Sequence, residues 1–182
     1  MARPSVKPTI IEKSLEIVEE HGITALTLDS AAEAAGITKR GLLYHFPSKQ
    51  ALVMGIHFEL ATRMESAMRE AVGKEPQSVT LVERTEAYIR AELKEPALGE
   101  MRLLMEAIHD RSWMAPWLEV YDRWFPEDRN PTDDMDDERL RCLVARMAAD
   151  GAWGYESMSS KPLKAATRQR LIDKIIEGLH AE

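Results

Sequence analysis

Apolar residues in this chain recur at steps of three and four almost from end to end, and no stretch sustains a period-two alternation. That pattern admits packed helices and leaves no place for a sheet. Ile11, Leu15 and Val18 form one face between Thr9 and His21, Gly22 stops it, and Thr9 with Glu12 reads as a capping box. After the connector 23–27, Leu28, Ala31, Ala32 and Ala35 give a short second helix closed by Gly36. Thr38 caps a third helix through about Phe46; Pro47 breaks it, and Ser48 caps a long fourth ending near Gly73. Five more helices are expected at roughly 77–94, 97–110, 112–125, 136–158 and 163–180. The chain reads as all-α with about nine helices.

Composition narrows the function. With 182 residues and 45% apolar content there is material for a real core. No run of about 18 uncharged apolar residues exists, so no membrane partner is expected. The basic start Met-Ala-Arg-Pro-Ser-Val-Lys-Pro lacks an apolar stretch behind it, which argues against a secretory signal and for a cytoplasmic protein. Cys142 is the single cysteine and reads as a buried, inert thiol. The five histidines lack ligand spacing, and neither a phosphate loop nor a nucleophile elbow occurs. No metal, no cofactor and no catalysis are expected. The acidic stretch Glu127–Glu138 reads as a solvated loop.

The net charge of −7 is unevenly spread: residues 1–50 carry six basic and six acidic side chains, and the remainder carries the whole excess. Within that neutral segment Glu12, Glu16, Glu19 and Glu20 cluster in the first helix, while Lys39, Arg40 and Lys49 fall together. Segregated signs still present one positive face. The unit Leu28–Phe46, two short helices joined by Gly36-Ile37-Thr38, matches helix-turn-helix geometry. A helical wheel puts Leu42, Leu43 and Phe46 on the core side, and Arg40, Gly41, Tyr44 and His45 outward. Arginine reads guanine bidentately, Tyr and His reach bases or phosphates, and Gly41 clears the backbone's approach. A corner of an ordinary helical bundle gives the same pattern.

The run from Leu28 to Leu52 resembles the DNA-binding signature of TetR-type transcriptional regulators: an alanine-rich helix ending in Gly36, then Leu42-x-x-His45-Phe46, then Pro47-Ser48-Lys49. The likeness covers roughly residues 9–56. It implies a helix-turn-helix DNA-binding domain over 1–50 and an effector-binding and dimerisation domain over 51–182. It further implies base-facing roles for Lys39, Arg40 and Tyr44, and phosphate contacts for Lys49, Thr27 and His45; Thr38 and Gly41 complete the expected DNA surface. Lys39 is a tension, because the wheel puts it nearer the core. Leu43 departs from the family's usual tyrosine, with Tyr44 next door. Arg3 and Lys7 form either a basic arm on DNA or a solvated end.

Beyond residue 50, Trp113, Trp117, Tyr121 and Trp124 make one aromatic stripe, and Leu98, Met101, Met105 and Ile108 another apolar one. Aromatics with flexible methionines suit either an adaptable cavity or plain core. The expected ligand set is Met101, Met105, His109, Trp113, Trp117, Tyr121 and Trp153, with Arg102 as a further polar candidate. In the last two helices Val144, Met147, Ala148, Gly151 and Tyr155, with Leu171, Ile172, Ile175, Ile176 and Leu179, give the expected homodimer surface. Two-fold symmetry would match a pseudo-palindromic double-stranded operator with half-sites about 34–36 Å apart, or multiples of it. The whole reads as a repressor released by a small apolar or aromatic effector. A helical small-molecule binding protein without DNA-binding activity and a protein–protein adaptor are the alternatives.

Overall fold

A computed structural model of the chain describes residues 6–94, 97–107, 110–129 and 135–180. Among these, nine α-helices and no strands occur: α1 Lys7–His21, α2 Leu28–Ala34, α3 Lys39–His45, α4 Lys49–Val72, α5 Leu81–Glu92, α6 Leu98–Glu106, α7 Ala115–Trp124, α8 Asp137–Met158 and α9 Ala165–Leu179. The starts follow local chemistry. Thr27, Thr38, Thr80 and Asp136 each accept a hydrogen bond from a backbone N–H in the first turn of α2, α3, α5 and α8. Ser48 Oγ does the same for Ala51 at the head of α4. The Thr9 capping box is not formed: α1 begins at Lys7, with Pro8 in its first turn, so Thr9 is already helical. Between α2 and α3, Ile37 N–H donates to Ala32 and Gly36 N–H to Glu33, with Gly36 at φ 66°. That is a Schellman end, and its left-handed residue is what turns the chain sharply into α3.

Packing divides the chain into two units, one comprising residues up to Ala61 with Leu98–Trp117, the other Thr62–Ala97 with residues from Leu118 onward. The first unit is built around Ile10, Ile11, Val18, Ala31, Leu42, Phe46, Leu52 and Ile56, all essentially inaccessible, and Leu103 of α6 joins them. Two contacts explain why α6 sits on α1. A Cβ on Gly99 would meet Glu19 Cβ at 3.2 Å, so the glycine permits the close approach. Arg102 then donates to the terminal carbonyls of Val18 and Glu19, at 2.8 and 2.5 Å. The guanidinium that looked available for a ligand is therefore an end-cap of α1.

Phe46 is fixed by another glycine. A Cβ on Gly55 would lie 2.5 Å from the Phe46 ring. Gly55→Ala gains up to about 1 kcal/mol of helix propensity but overpacks a core ring, which costs about 1–3 kcal/mol. A net loss of about 1 kcal/mol is expected in urea unfolding, and a gain would show that the ring is free to move.

In the second unit Trp124, Ile89, Cys142 and Ala149 are wholly buried. Burial pushes the Cys142 thiol up, as expected of an inert cysteine. The acidic stretch departs from expectation at both described ends. Glu127 and Asp128 lie in a 3-10 turn, Pro126–Arg129, held by Arg84 on Glu127 (2.5 Å), Arg139 on the Glu127 carbonyl (2.6 Å) and Arg146 on Asp128. Asp136 caps α8. Arg84 and Arg146 thus pair with the Glu127 and Asp128 carboxylates; Asp133 and Asp134 lie outside the described residues.

Candidate DNA reader and effector cluster

The third helix presents the expected outward set. Tyr44 is 87% exposed, Arg40 is exposed, and Gly41 and His45 are half-buried, with the Tyr44 and His45 rings edge to face at 5.2 Å. Lys39 is exposed and pairs with Asp29 at 2.8 Å, which resolves its ambiguous wheel position in favour of the surface. Leu42 and Phe46 are core, but Leu43 is 37% exposed, so the three do not share the buried side. The Gly41 N–H donates to Thr38 Oγ1 at 3.1 Å. Thr38 thus shapes the start of α3 as well as lying on its surface.

Thr27 is exposed at the start of α2 and engaged with Ser30. Lys49 is half-buried, its Nζ donating to the Ile23 carbonyl at 3.3 Å. That bond holds one ammonium beside the turn leading into α2. Lys7 is the first residue of α1 rather than part of a free arm, its Nζ 5.5 Å from the Phe46 ring centroid. Arg3 lies outside the described residues.

The aromatic stripe divides between the two units. Trp113 lies in a 3-10 turn, Arg111–Met114, and Trp117 in the first turn of α7. Both accompany His57, a residue absent from the sequence-derived candidates. His57 is fully buried, and Trp117 Nε1–H donates to its Nδ1 at 3.2 Å. The Trp113 ring lies nearly parallel to the imidazole, 22° between planes and 6.1 Å between centroids. Burial lowers the His57 pKa to about 4, keeping the ring neutral. Nδ1 accepts, so the neutral ring carries its proton on Nε2, and that buried N–H has no partner among the described residues. An unpaired buried donor costs about 1–3 kcal/mol. No sequence pattern marks His57; its one signal was a histidine set among the apolar positions of α4.

Met101 is half-buried and Met105 56% exposed on α6, while His109 and Ile108 lie outside the described residues. Tyr121 belongs to the second unit, where its hydroxyl meets Tyr88 Oη at 2.5 Å and Tyr88 donates to Asp150 at 2.5 Å. The single Tyr88 proton goes to the carboxylate, so Tyr121 is the donor to Tyr88. Burial first, then neighbouring carboxylates, raises the pKa of Tyr88, and burial raises that of Asp150. Trp124 is core, with its indole N–H on Glu65 at 3.2 Å. Trp153 is half-buried.

The dimer set divides as well. Val144, Met147, Ala148, Gly151 and Tyr155 are exposed on α8; on α9, Leu171, Ile175 and Ile176 are half-buried, whereas Ile172 and Leu179 are buried within the chain's own fold. A groove of about 450 Å³ runs between the two helices, floored by Leu140, Val144, Ala148 and Ile175.

A turn-linked pair of short helices with an exposed, partly basic second helix defines a helix-turn-helix protein of the DNA-reading class. The profile of the tetR family of bacterial regulatory proteins matches residues 10–55, and that of the tetracyclin repressor-like C-terminal domain matches residues 82–180. The chain belongs to the TetR family of transcriptional regulators. It is 38% identical over 50 residues to the HTH-type transcriptional regulator RutR of Escherichia coli K12, a match spanning 28% of this chain and about a quarter of RutR (24%). Its fold is similar to that of the fatty acid degradation regulator FadR from Bacillus halodurans (TM-score 0.68, 15% identity, 98% of this chain and 96% of that one). It is also similar to the TetR-like regulator LfrR of Mycobacterium smegmatis, solved with proflavine (TM-score 0.58, 14% identity, 97% and 94%). Among the described residues no helix is long and apolar enough to cross a membrane.

Proposed function

We propose that this protein is a homodimeric, cytoplasmic transcriptional repressor that reads a pseudo-palindromic DNA operator and is released from it by a small apolar or aromatic effector. The observation that carries the DNA reading is α3: Arg40 and Tyr44 stand clear of a core that fixes Leu42 and Phe46 on the opposite side. Arg40 and Tyr44 read bases, with Lys39 beside them, while Thr27, His45 and Lys49 hold phosphate. Thr38 and Gly41 set the close approach of the helix. The α8 stripe with the exposed part of α9 supports pairing of two copies. The effector reading rests on Met101, Met105, Trp113 and Trp117 in the first unit, with His109, Tyr121 and Trp153 as further candidates. A release mechanism requires the effector to prefer the conformation that does not fit DNA.

The test is a salt titration of binding to DNA selected from a random pool. Arg40→Ala is expected to lower discrimination between selected and mutated sites by about 1–3 kcal/mol. Lys49→Ala is expected to weaken every site alike and to reduce the slope of log affinity against log salt by about one. If both variants titrate like wild type, these side chains do not touch the duplex.

A further inference from the structure

We infer that the Nε2–H of His57 is the recognition donor of an effector site walled by Trp113 and Trp117, and that its ligand is an uncharged, flat, apolar molecule carrying a carbonyl-type acceptor oxygen. The inference rests on the proposed effector response and gives that effector a chemistry. One side of the imidazole is already committed: Trp117 Nε1–H occupies Nδ1 at 3.2 Å, which fixes the tautomer and aims the remaining proton from Nε2. That donor is buried and, among the described residues, unpartnered. Folded proteins rarely leave such a group orphaned, and a bound oxygen completes it.

The surroundings select the rest of the ligand. Trp113 lies within 22° of the imidazole plane, so the cluster offers flat aromatic faces. Val53 and Leu60, one turn away on either side of His57 along α4, are buried and apolar. A carboxylate would need a cation, but the imidazole is neutral and Arg102 is spent on the α1 carbonyls. A neutral acceptor such as a ketone, amide or lactone oxygen meets the donor without a buried charge.

Matched probe pairs test this: acetophenone against ethylbenzene, and 2-acetylnaphthalene against 2-ethylnaphthalene, each titrated into the full chain by tryptophan fluorescence and by imidazole nitrogen-15 spectra. The ketones are expected to bind wild type at least tenfold more tightly than their hydrocarbons and to shift the His57 Nε2 resonance. In His57→Phe the members of each pair should bind alike, while His57→Gln, which keeps an N–H donor, should recover part of the preference. Equal binding of ketone and hydrocarbon, or no ketone moving Nε2 at saturation, overturns the inference; so does Nε2 remaining bonded to water alone in the presence of ketone. The same samples are scored for retention of pool-selected DNA. Ketone on His57 with DNA still bound removes the effector role and leaves the site; specific DNA binding with no ketone on His57 removes the site and leaves the DNA reading.

Discussion

Met147→Glu is expected to yield a folded monomer that has lost operator binding. Leu140, Val144, Met147, Gly151, Tyr155 and Met158 follow one another along α8 at steps of four and three, on one face of the helix. The five large ones are 49–70% exposed, an unusual concentration of apolar surface for a solvated face. A Cβ on Gly151 would meet nothing within 4 Å, so the middle of the stripe has room for a second helix to come close. Burying each such side chain in a partner is worth about 1.5–3 kcal/mol, and a two-fold axis counts every contact twice. A glutamate there puts two like charges into that contact. Because Met147 is 61% exposed within its own chain, the monomer's thermal melt should stay within a few degrees of wild type. Sedimentation should show the monomer. Losing the second reader should cost at least about a hundredfold in operator affinity. A variant that still sediments as a dimer would place the pairing surface elsewhere.

The second large effect is on stability. Glu156 has a 2% exposed side chain near the end of α8. It accepts from the Leu163 N–H at 2.7 Å, and from Arg168 Nε and Nη2 at 2.6 and 3.2 Å. This carboxylate ties the head of α9 to α8. Glu156→Ala takes the carboxylate from a largely buried guanidinium that keeps the Leu163 carbonyl at 3.3 Å, and is expected to cost about 3 kcal/mol in urea unfolding, with loss of the proposed dimer following because α9 is held less firmly to α8. Arg168 first, then the Leu163 N–H, holds the Glu156 pKa below its usual value. Its contribution is therefore fully present above the ordinary glutamate pKa of about 4.3 and is lost as pH falls through the lowered folded value. The variant should lack that part of the acid destabilisation. A loss below about 1 kcal/mol would mean that the ion pair contributes little beyond its desolvation cost.

How far the sequence reached depends on what kind of information each feature needs. Thr38, Ser48 and Asp136 act through neighbours three residues away, so the starts of their helices follow from local chemistry. The Gly36 turn and the outward faces of Arg40 and Tyr44 were readable for the same reason. Leu43 was not, because a wheel cannot say how wide a seven-residue helix's buried side will be. Arg102 and Gly99 gain their meaning from Val18 and Glu19, some 80 residues away in the chain. The regular spacing of Trp113, Trp117, Tyr121 and Trp124 suggested one continuous surface. A 3-10 turn before α7 and the packing of each indole send the first two to His57, and Trp124 to Glu65. Glu127 and Asp128 looked solvated because their arginine partners on α5 and α8 are invisible to a local window.

The proposed function requires a pair of α3 helices to read one duplex in a sequence-dependent way. Selection of bound sequences from a random DNA pool by the full chain addresses it directly. Wild type is expected to enrich a two-fold-symmetric motif, with Arg40→Ala degrading the same base positions in both halves. Retention of the pool without any enriched motif, or enrichment of a single asymmetric half, would contradict it.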